Sequence, residues 1–270
     1  MSKVILITGA SSGIGKAIAA YLHSKGLIVY GTSRNATHGI IQDGITFLKM
    51  DVTNTSSVQD AVKFLLDKEG HIDVLVNNAG IGMVGAGEDS GVDEMKQQFE
   101  TNFYGTVRVM QEVLPGMRDQ GHGHVINISS LAGIFGLPYR GVYSAAKFAI
   151  IGLSESMRME LRSYGVRLAV ICPGDFKTPI KSSRIHAKKS ENSVYAKEFG
   201  EVYTLMNDEL DNSGDPVAVG KEVWKILQDP DPRPFYLVAS PFQKIVVMLR
   251  HWIPRRSFQW LMMHNYKMLR

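Results

Sequence analysis

The stretch V-I-L-I-T-G-A-S-S-G-I-G, residues 4–15, decides the fold. Val4 to Ile7 form a short apolar, β-branched run that reads as a strand buried on both faces. Glycines follow at once, and K-A-I-A-A-Y-L-H-S-K behind them keeps a helical period. Strand, glycine loop and helix in that order deliver a phosphate to the helix N-terminus, where unpaired N–H groups and the helix dipole favour an anion. Gly9 permits the turn, Gly13 lets a pyrophosphate approach the backbone, and Gly15 lets the helix pack tightly on the strand. Ser11, Ser12 and Ile14 complete the loop.

Working outward, Leu27 to Thr32 reads as a second strand ending in G-T-S-R-N. An acidic residue here accepts the ribose 2′-hydroxyl of NAD, whereas an arginine accommodates the 2′-phosphate of NADP. The chain offers Ser33 and Arg34. The link to the third strand, Ile45 to Lys49, is short and holds Gly39 and Gly44, so any helix there is small or absent. M-D-V-T-N puts Asp51 at a strand end, and Ser56 to Asp67 reads as a helix. H-I-D-V-L-V-N-N-A-G is a further buried strand, continued by Asn77, Asn78, Ala79 and Gly80, small enough for a ribose or ring to lie against backbone.

From Ser90 to Leu114 a long helical pattern encloses Asn102. An asparagine side chain competes for backbone hydrogen bonds in a helix interior, and such a local conflict marks a candidate functional position. His122 and His124 precede the strand V-I-N-I-S and read as exposed loop residues, not metal ligands; no metal site is expected. V-R-L-A-V-I-C-P-G is another buried strand, closed by the turn P-G-D-F-K-T.

Between these two strands V-Y-S-A-A-K-F-A-I-I-G-L-S-E-S-M reads as a helix whose i, i+4 spacing sets Tyr143 and Lys147 on one face. A fixed cation lowers a phenol's pKa from its usual value of about 10. Ser130 lies thirteen residues before Tyr143, just past a strand end, and the intervening loop can return its hydroxyl to the phenol. All three groups could then act on one carbonyl oxygen.

Length and composition fit one large α/β domain, since 270 residues with 44% apolar content bury a sizeable core. The single cysteine, Cys172, excludes an intramolecular disulfide framework and reads as a small buried residue in a reducing compartment. No signal-peptide pattern or apolar run of about 18 to 20 residues is visible, so a cytoplasmic location is expected. The net charge of +4 is uneven: no acidic residue follows Asp231, and seven basic ones do, leaving −3 for the rest. Residues 181–216 turn polar, with few apolar anchors, and read as a substrate lid with one or two short helices. Then V-A-V-G-K-E-V-W-K-I-L is a helix and R-P-F-Y-L-V-A a last strand. Beyond it Phe242, Ile245, Val246, Leu249 and Trp252 recur at helical spacing, Pro254 interrupts, and Phe258, Leu261, Met262, Tyr266 and Leu269 resume. A basic amphipathic helix with tryptophan can lie in a membrane interface; the same pattern also suits a cover for the pocket or a subunit contact. The basic excess is confined to this apolar-striped tail, which argues against nucleic acid as a partner.

T-G-A-S-S-G-I-G, N-N-A-G, the in-helix asparagine, S-x12-Y-x3-K and P-G-x3-T, in this order, resemble the short-chain dehydrogenase/reductase family over residues 3 to about 180, and the tyrosine region is similar to its steroid- and retinol-active branch. The resemblance implies a doubly wound parallel sheet with helices on both faces, spanning residues 1–240, with 241–270 as a helical extension. It implies Tyr143 as general acid/base, Lys147 as its activator and ribose anchor, Ser130 as positioner of the substrate oxygen, and Asn102 as holder of a water relay to Lys147. Asp51 and Val52 would sit at the adenine, Asn78 to Gly80 along the ribose, and Pro173, Gly174 and Thr178 around the carboxamide. Many NADP-preferring members carry a Lys or Arg in the first glycine loop, where this chain has Ser11 and Ser12, so Arg34 carries most of the phosphate recognition and NAD stays admissible beside NADP. The expectation is an NADP(H)-dependent enzyme interconverting a carbonyl and a secondary alcohol, with a hydrophobic or lipid-like substrate, assembled as a homodimer or homotetramer and open to peripheral membrane contact through 241–270. The competing reading is a cofactor-binding scaffold or redox sensor without catalysis.

Overall fold

The computed structural model describes residues 2–188 and 193–269; the parts of the expected lid and tail that fall on residues 189–192 and on Arg270, and the first residue of the expected domain, lie outside it. The first βαβ unit is β1 (Val4–Ile7), α1 (Gly13–His23) and β2 (Ile28–Ser33). β3 (Ile40–Gln42) and β4 (Ile45–Lys49) form a hairpin, then come α2 (Thr55–Glu69), β5 (Val74–Asn77) and the short β6 (Met83–Val84). α3 (Val92–Phe99), a π-turn (Glu100–Tyr104) and α4 (Gly105–Gln120) lead to β7 (Gly123–Ile128), α5 (Gly141–Leu161) and β8 (Val166–Pro173). β9 (Ile185–His186), α6 (Ala196–Asp211), α7 (Val217–Gln228), β10 (Phe235–Val238), α8 (Pro241–Trp252) and α9 (Arg255–Asn265) complete the chain.

The main sheet has the order β10-β8-β7-β5-β1-β2-β4-β3, parallel except for the edge strand β3. Its direction of build reverses between β1 and β5, which opens a crevice at the carboxyl ends of those strands. One face is covered by α2, α4 and α5 through a cluster including Val58, Leu65, Val109, Met110 and Leu161; the other by α1 and α7 through Ile18, Leu22, Val219 and Val223. A third cluster stands apart from both. It joins Val202 and Met206 of α6 to Val247, Phe258, Met262 and Tyr266 of the tail, over Leu131 and Phe135 at the carboxyl edge.

Three local expectations change, and a fourth segment, read only as having little or no helix, takes a strand. The link before the third strand forms β3, turned by Asp43 and Gly44 at φ 52° and 78°, the two left-handed residues a tight hairpin demands. The helix expected to end at Leu114 runs on to Gln120, since Pro115 is exposed and Met117 beyond it is buried. His124 is part of β7 and not of a loop, and its burial pulls its pKa down to about 4. The described lid residues hold the end of a 3-10 helix (Pro179–Ser183), one α-helix of 16 residues, α6, and the strand β9, which pairs with β6; pairing and helix packing supply the order that its polar composition concealed.

Candidate active site

The glycine loop has the geometry its sequence demands. Gly9 and Gly13 take φ of +67° and +56°, and a Cβ on Gly15 would stand 2.3 Å from the carbonyl oxygen of Gly9. Asn78, just past the end of β5, locks the loop, its amide donating to the carbonyls of Thr8 and Gly9 at 3.0 and 3.1 Å. The Thr8 hydroxyl in turn accepts from the backbone N–H of Asn78 and Ala79 at 2.9 and 3.0 Å, a role its place in the motif did not announce. Ser12 is the N-cap of α1 and its side chain caps nothing, so the first-turn amides remain available to an anion; Ser11 and Ser12 are both exposed. Arg34 is exposed beyond β2, next to Ser33, and makes no salt bridge among the described residues. Asp51 turns its carboxylate onto Thr53 at 2.8 Å, and Val52 packs under Gly105, whose absent Cβ leaves it room.

Asn102 lies in the π-turn, where the widened helix frees backbone groups. Both ends of its amide meet the backbone of Ile81, accepting from the N–H at 2.8 Å and donating to the carbonyl at 2.9 Å. It therefore pins the segment after Gly80 and does not reach Lys147 through a described hydrogen bond. Lys147 is buried beneath Tyr143, donates to the carbonyl of Ile128 at 2.9 Å, and lies 5.9 Å from the centre of the Tyr143 ring. Burial lowers its pKa to about 8, so it is charged at neutral pH.

Ser130 caps the 3-10 turn Leu131–Gly133 and shares a pocket with Tyr143, Ile14, Pro173, Gly174 and Thr178. The reactive hydroxyls and the glycine-loop side of the crevice thus face one space. Burial raises the Tyr143 pKa, against a lowering hydrogen bond from Ser130 and the nearby charges of Arg140 and Arg184. This corrects the expectation of a phenol lowered by Lys147: burial dominates, and the cations that act on the phenol stand at the pocket wall. Asp175, Arg140 and Arg184 line the same pocket and carried no role in the sequence reading. Cys172 is buried behind it, its thiol pushed up to about 12 by burial.

A family profile described as short chain dehydrogenase matches residues 3–189. A 3-ketodihydrosphingosine reductase of Bacteroides thetaiotaomicron is 39% identical over 260 residues, 96% of this chain and 96% of that protein. An NADPH-dependent 3-dehydrocapnine reductase of Ornithobacterium rhinotracheale is 33% identical over 280 residues, 98% of this chain and 97% of its own length. Among solved structures, a short-chain dehydrogenase from Streptomyces avermitilis superposes with a TM-score of 0.81 at 29% identity, covering 100% of this chain and 97% of that one. The structure of ElxO with NADP bound gives 0.72 at 26% identity, over 88% and 97%.

Proposed function

The chain belongs to the short-chain dehydrogenase/reductase family of oxidoreductases, and from that premise we propose that it reduces the carbonyl of a long-chain, lipid-like 3-ketone to a secondary alcohol with NADPH. The observation that carries the reaction is the shared pocket of Ser130 and Tyr143 beside Ile14 and Thr178. The likeness to the two ketone reductases, over nearly the whole chain, carries the substrate class.

The residues present fit a dinucleotide: the crevice has a left-handed glycine turn, an uncapped helix N-terminus, a Gly15 with no room for a side chain, and a free arginine where a 2′-phosphate would stand. When bound, the nicotinamide supplies the hydride. The remaining work belongs to the chain. Ser130 positions the substrate oxygen by hydrogen bonding, and Tyr143 gives it a proton. A phenol raised by burial stays protonated at neutral pH, so it enters the cycle loaded for reduction. Lys147, buried beneath the ring and donating to the carbonyl of Ile128, is assigned the ribose. Asn102 fixes the strand end along which Asn78, Ala79 and Gly80 would meet the ribose. Arg34 carries the preference for NADPH, and NADH remains a weaker alternative.

The roof above this pocket is apolar beneath, and on α8 and α9 it also carries an apolar stripe outside. Phe242, Ile245, Met248 and Trp252 form an exposed stripe on α8, with Trp252 82% exposed, and Trp260 adds to it on α9. Lys244, Arg255 and Arg256 are exposed beside them. No described helix is long and apolar enough to cross a membrane. The stripe suits a peripheral seat on an anionic lipid surface, which would bring the pocket to its substrate.

The test is product identification: purified protein, NADPH and 3-ketodihydrosphingosine, with the alcohol followed by mass spectrometry. Stoichiometric alcohol formation supports the reading; NADPH oxidation confined to small polar carbonyls refutes it. Co-sedimentation with anionic vesicles at low salt checks the membrane seat, and its absence removes that part alone.

A further inference from the structure

The pocket contains a charged group that carbonyl reduction by itself does not need. Asp175 follows Pro173 and Gly174 at the end of β8 and lines the same space as Tyr143 and Ser130. Its carboxylate is held by the tail: the Gln243 amide donates to it at 2.6 Å. Gln243 is itself anchored in the capping box of α8, with Ser240 as the N-cap. The fit also requires Gly174, where a Cβ would stand 2.1 Å from the Gln243 side-chain oxygen. Two segments thus converge to aim one carboxylate.

A second carboxylate, Glu209 on α6, is exposed outside the pocket lining; its pKa is raised first by lost water and then by Asp175, against the charge of Arg140. Neither carboxylate forms a salt bridge among the described residues. The two cations of the pocket wall hydrogen-bond neutral partners and so keep their charges in the same space. Arg140 donates to the Tyr266 phenol at 2.5 Å, and Arg184 donates to Asn207 at 2.8 Å and stacks over Tyr203. The Asp175 charge also bears on the Tyr143 phenol, in the direction that opposes negative charge there. Asp175 thus stands among charges of both signs, and its own share opposes the charge that develops on a carbonyl oxygen during reduction.

We infer that Asp175 is the specificity determinant of the pocket and receives a cationic amino group carried beside the reacting carbonyl. This rests on the long-chain ketone reading and narrows it to 2-amino-3-ketones, the class to which a 3-keto sphingoid base belongs. An ammonium seated there pairs with Asp175 and removes that opposition. A ketone lacking the amino group meets the bare carboxylate instead, so selection acts by attraction and by repulsion together.

The experiment compares kcat/KM for 3-ketodihydrosphingosine and for the same ketone without its amino group, in wild-type protein and in the Asp175→Asn variant. The wild type is expected to prefer the amino ketone by at least about tenfold. Asp175→Asn is expected to lower that preference by about tenfold, weakening the amino ketone through KM while improving the deaminated one. A structural lesion would depress both substrates together, and that result, or an unchanged preference, overturns the assignment. Should Asp175→Asn fail to fold, the wild-type preference decides. Equal wild-type use of both long ketones defeats the inference and leaves the proposed function standing; use of neither defeats both.

Discussion

The floor and the roof of the pocket are built on different principles. The floor consists of β1, β5, β7 and β8 with the loops at their carboxyl ends, and its side chains are fixed by a sheet packed on both faces. The roof consists of α6, α8 and α9, which bury one face in a separate cluster and leave the other in water. On the proposed reading, chemistry that needs atoms held to a fraction of an ångström is sited on the first, and selection of the substrate falls to the second. Substitutions in the two regions should therefore fail in different ways.

The largest contrast comes from the floor's proposed proton donor. Tyr143→Phe keeps the ring and its packing but removes the proton, so turnover is expected to fall about a thousandfold with NADPH affinity retained. Steady-state rates beside a fluorescence titration of NADPH check both halves. Loss of binding in step with turnover would mean that the phenol holds the fold of the site instead.

Stability separates the regions next. Leu75→Ala, in the middle of the sheet, should cost about 3 kcal/mol of global stability. Phe258→Ala empties a site in the roof beside Phe135, whose ring lies 5.1 Å away. It should loosen α9 locally, raise KM for long ketones and leave the main unfolding midpoint nearly in place. Denaturation curves read with hydrogen exchange over α8 and α9 distinguish the two.

Acid should break the floor before the roof. His124 in β7 has its pKa lowered to about 4, first by burial and then by Lys3, Arg167 and His122, so the folded protein holds it neutral. The unfolded chain takes up a proton at about 6.5, and stability is therefore lost as the pH falls from 6.5 toward 4. His124→Gln should flatten that limb by on the order of 2 kcal/mol, seen as a smaller difference in unfolding free energy between neutral and acid buffer.

The smallest expected effect lies at the rim of the floor. Arg34→Ala should raise KM for NADPH about tenfold and leave KM for NADH almost unchanged. Equal losses with both cofactors would place the 2′-phosphate elsewhere.

The same division governs what could be read from the chain. Gly9, Gly13 and Gly15 were legible because backbone geometry restricts those positions to glycine wherever the loop occurs. Asn102 was legible as a conflict with its helix, and the structure resolves the conflict as a π-turn. The hairpin of β3 was signalled by Asp43-Gly44 but is too short to show a period. Asp175 stood in plain view within P-G-D-F, yet its meaning depends on Gln243, 68 residues later, and no local pattern announces such a pair. The roof was opaque for the same reason: its helices are ordered by contacts between α6 and the tail, and composition alone describes only their wet faces.

The most direct test of the account is the dependence of kcat/KM on chain length, measured by NADPH oxidation over a homologous series of 3-ketones from short to long. If the floor supplies the reaction and the roof selects a lipid-like substrate, kcat/KM should climb with each added stretch of alkyl chain, mostly through KM. A flat series, or one that favours the shortest ketones, would contradict it.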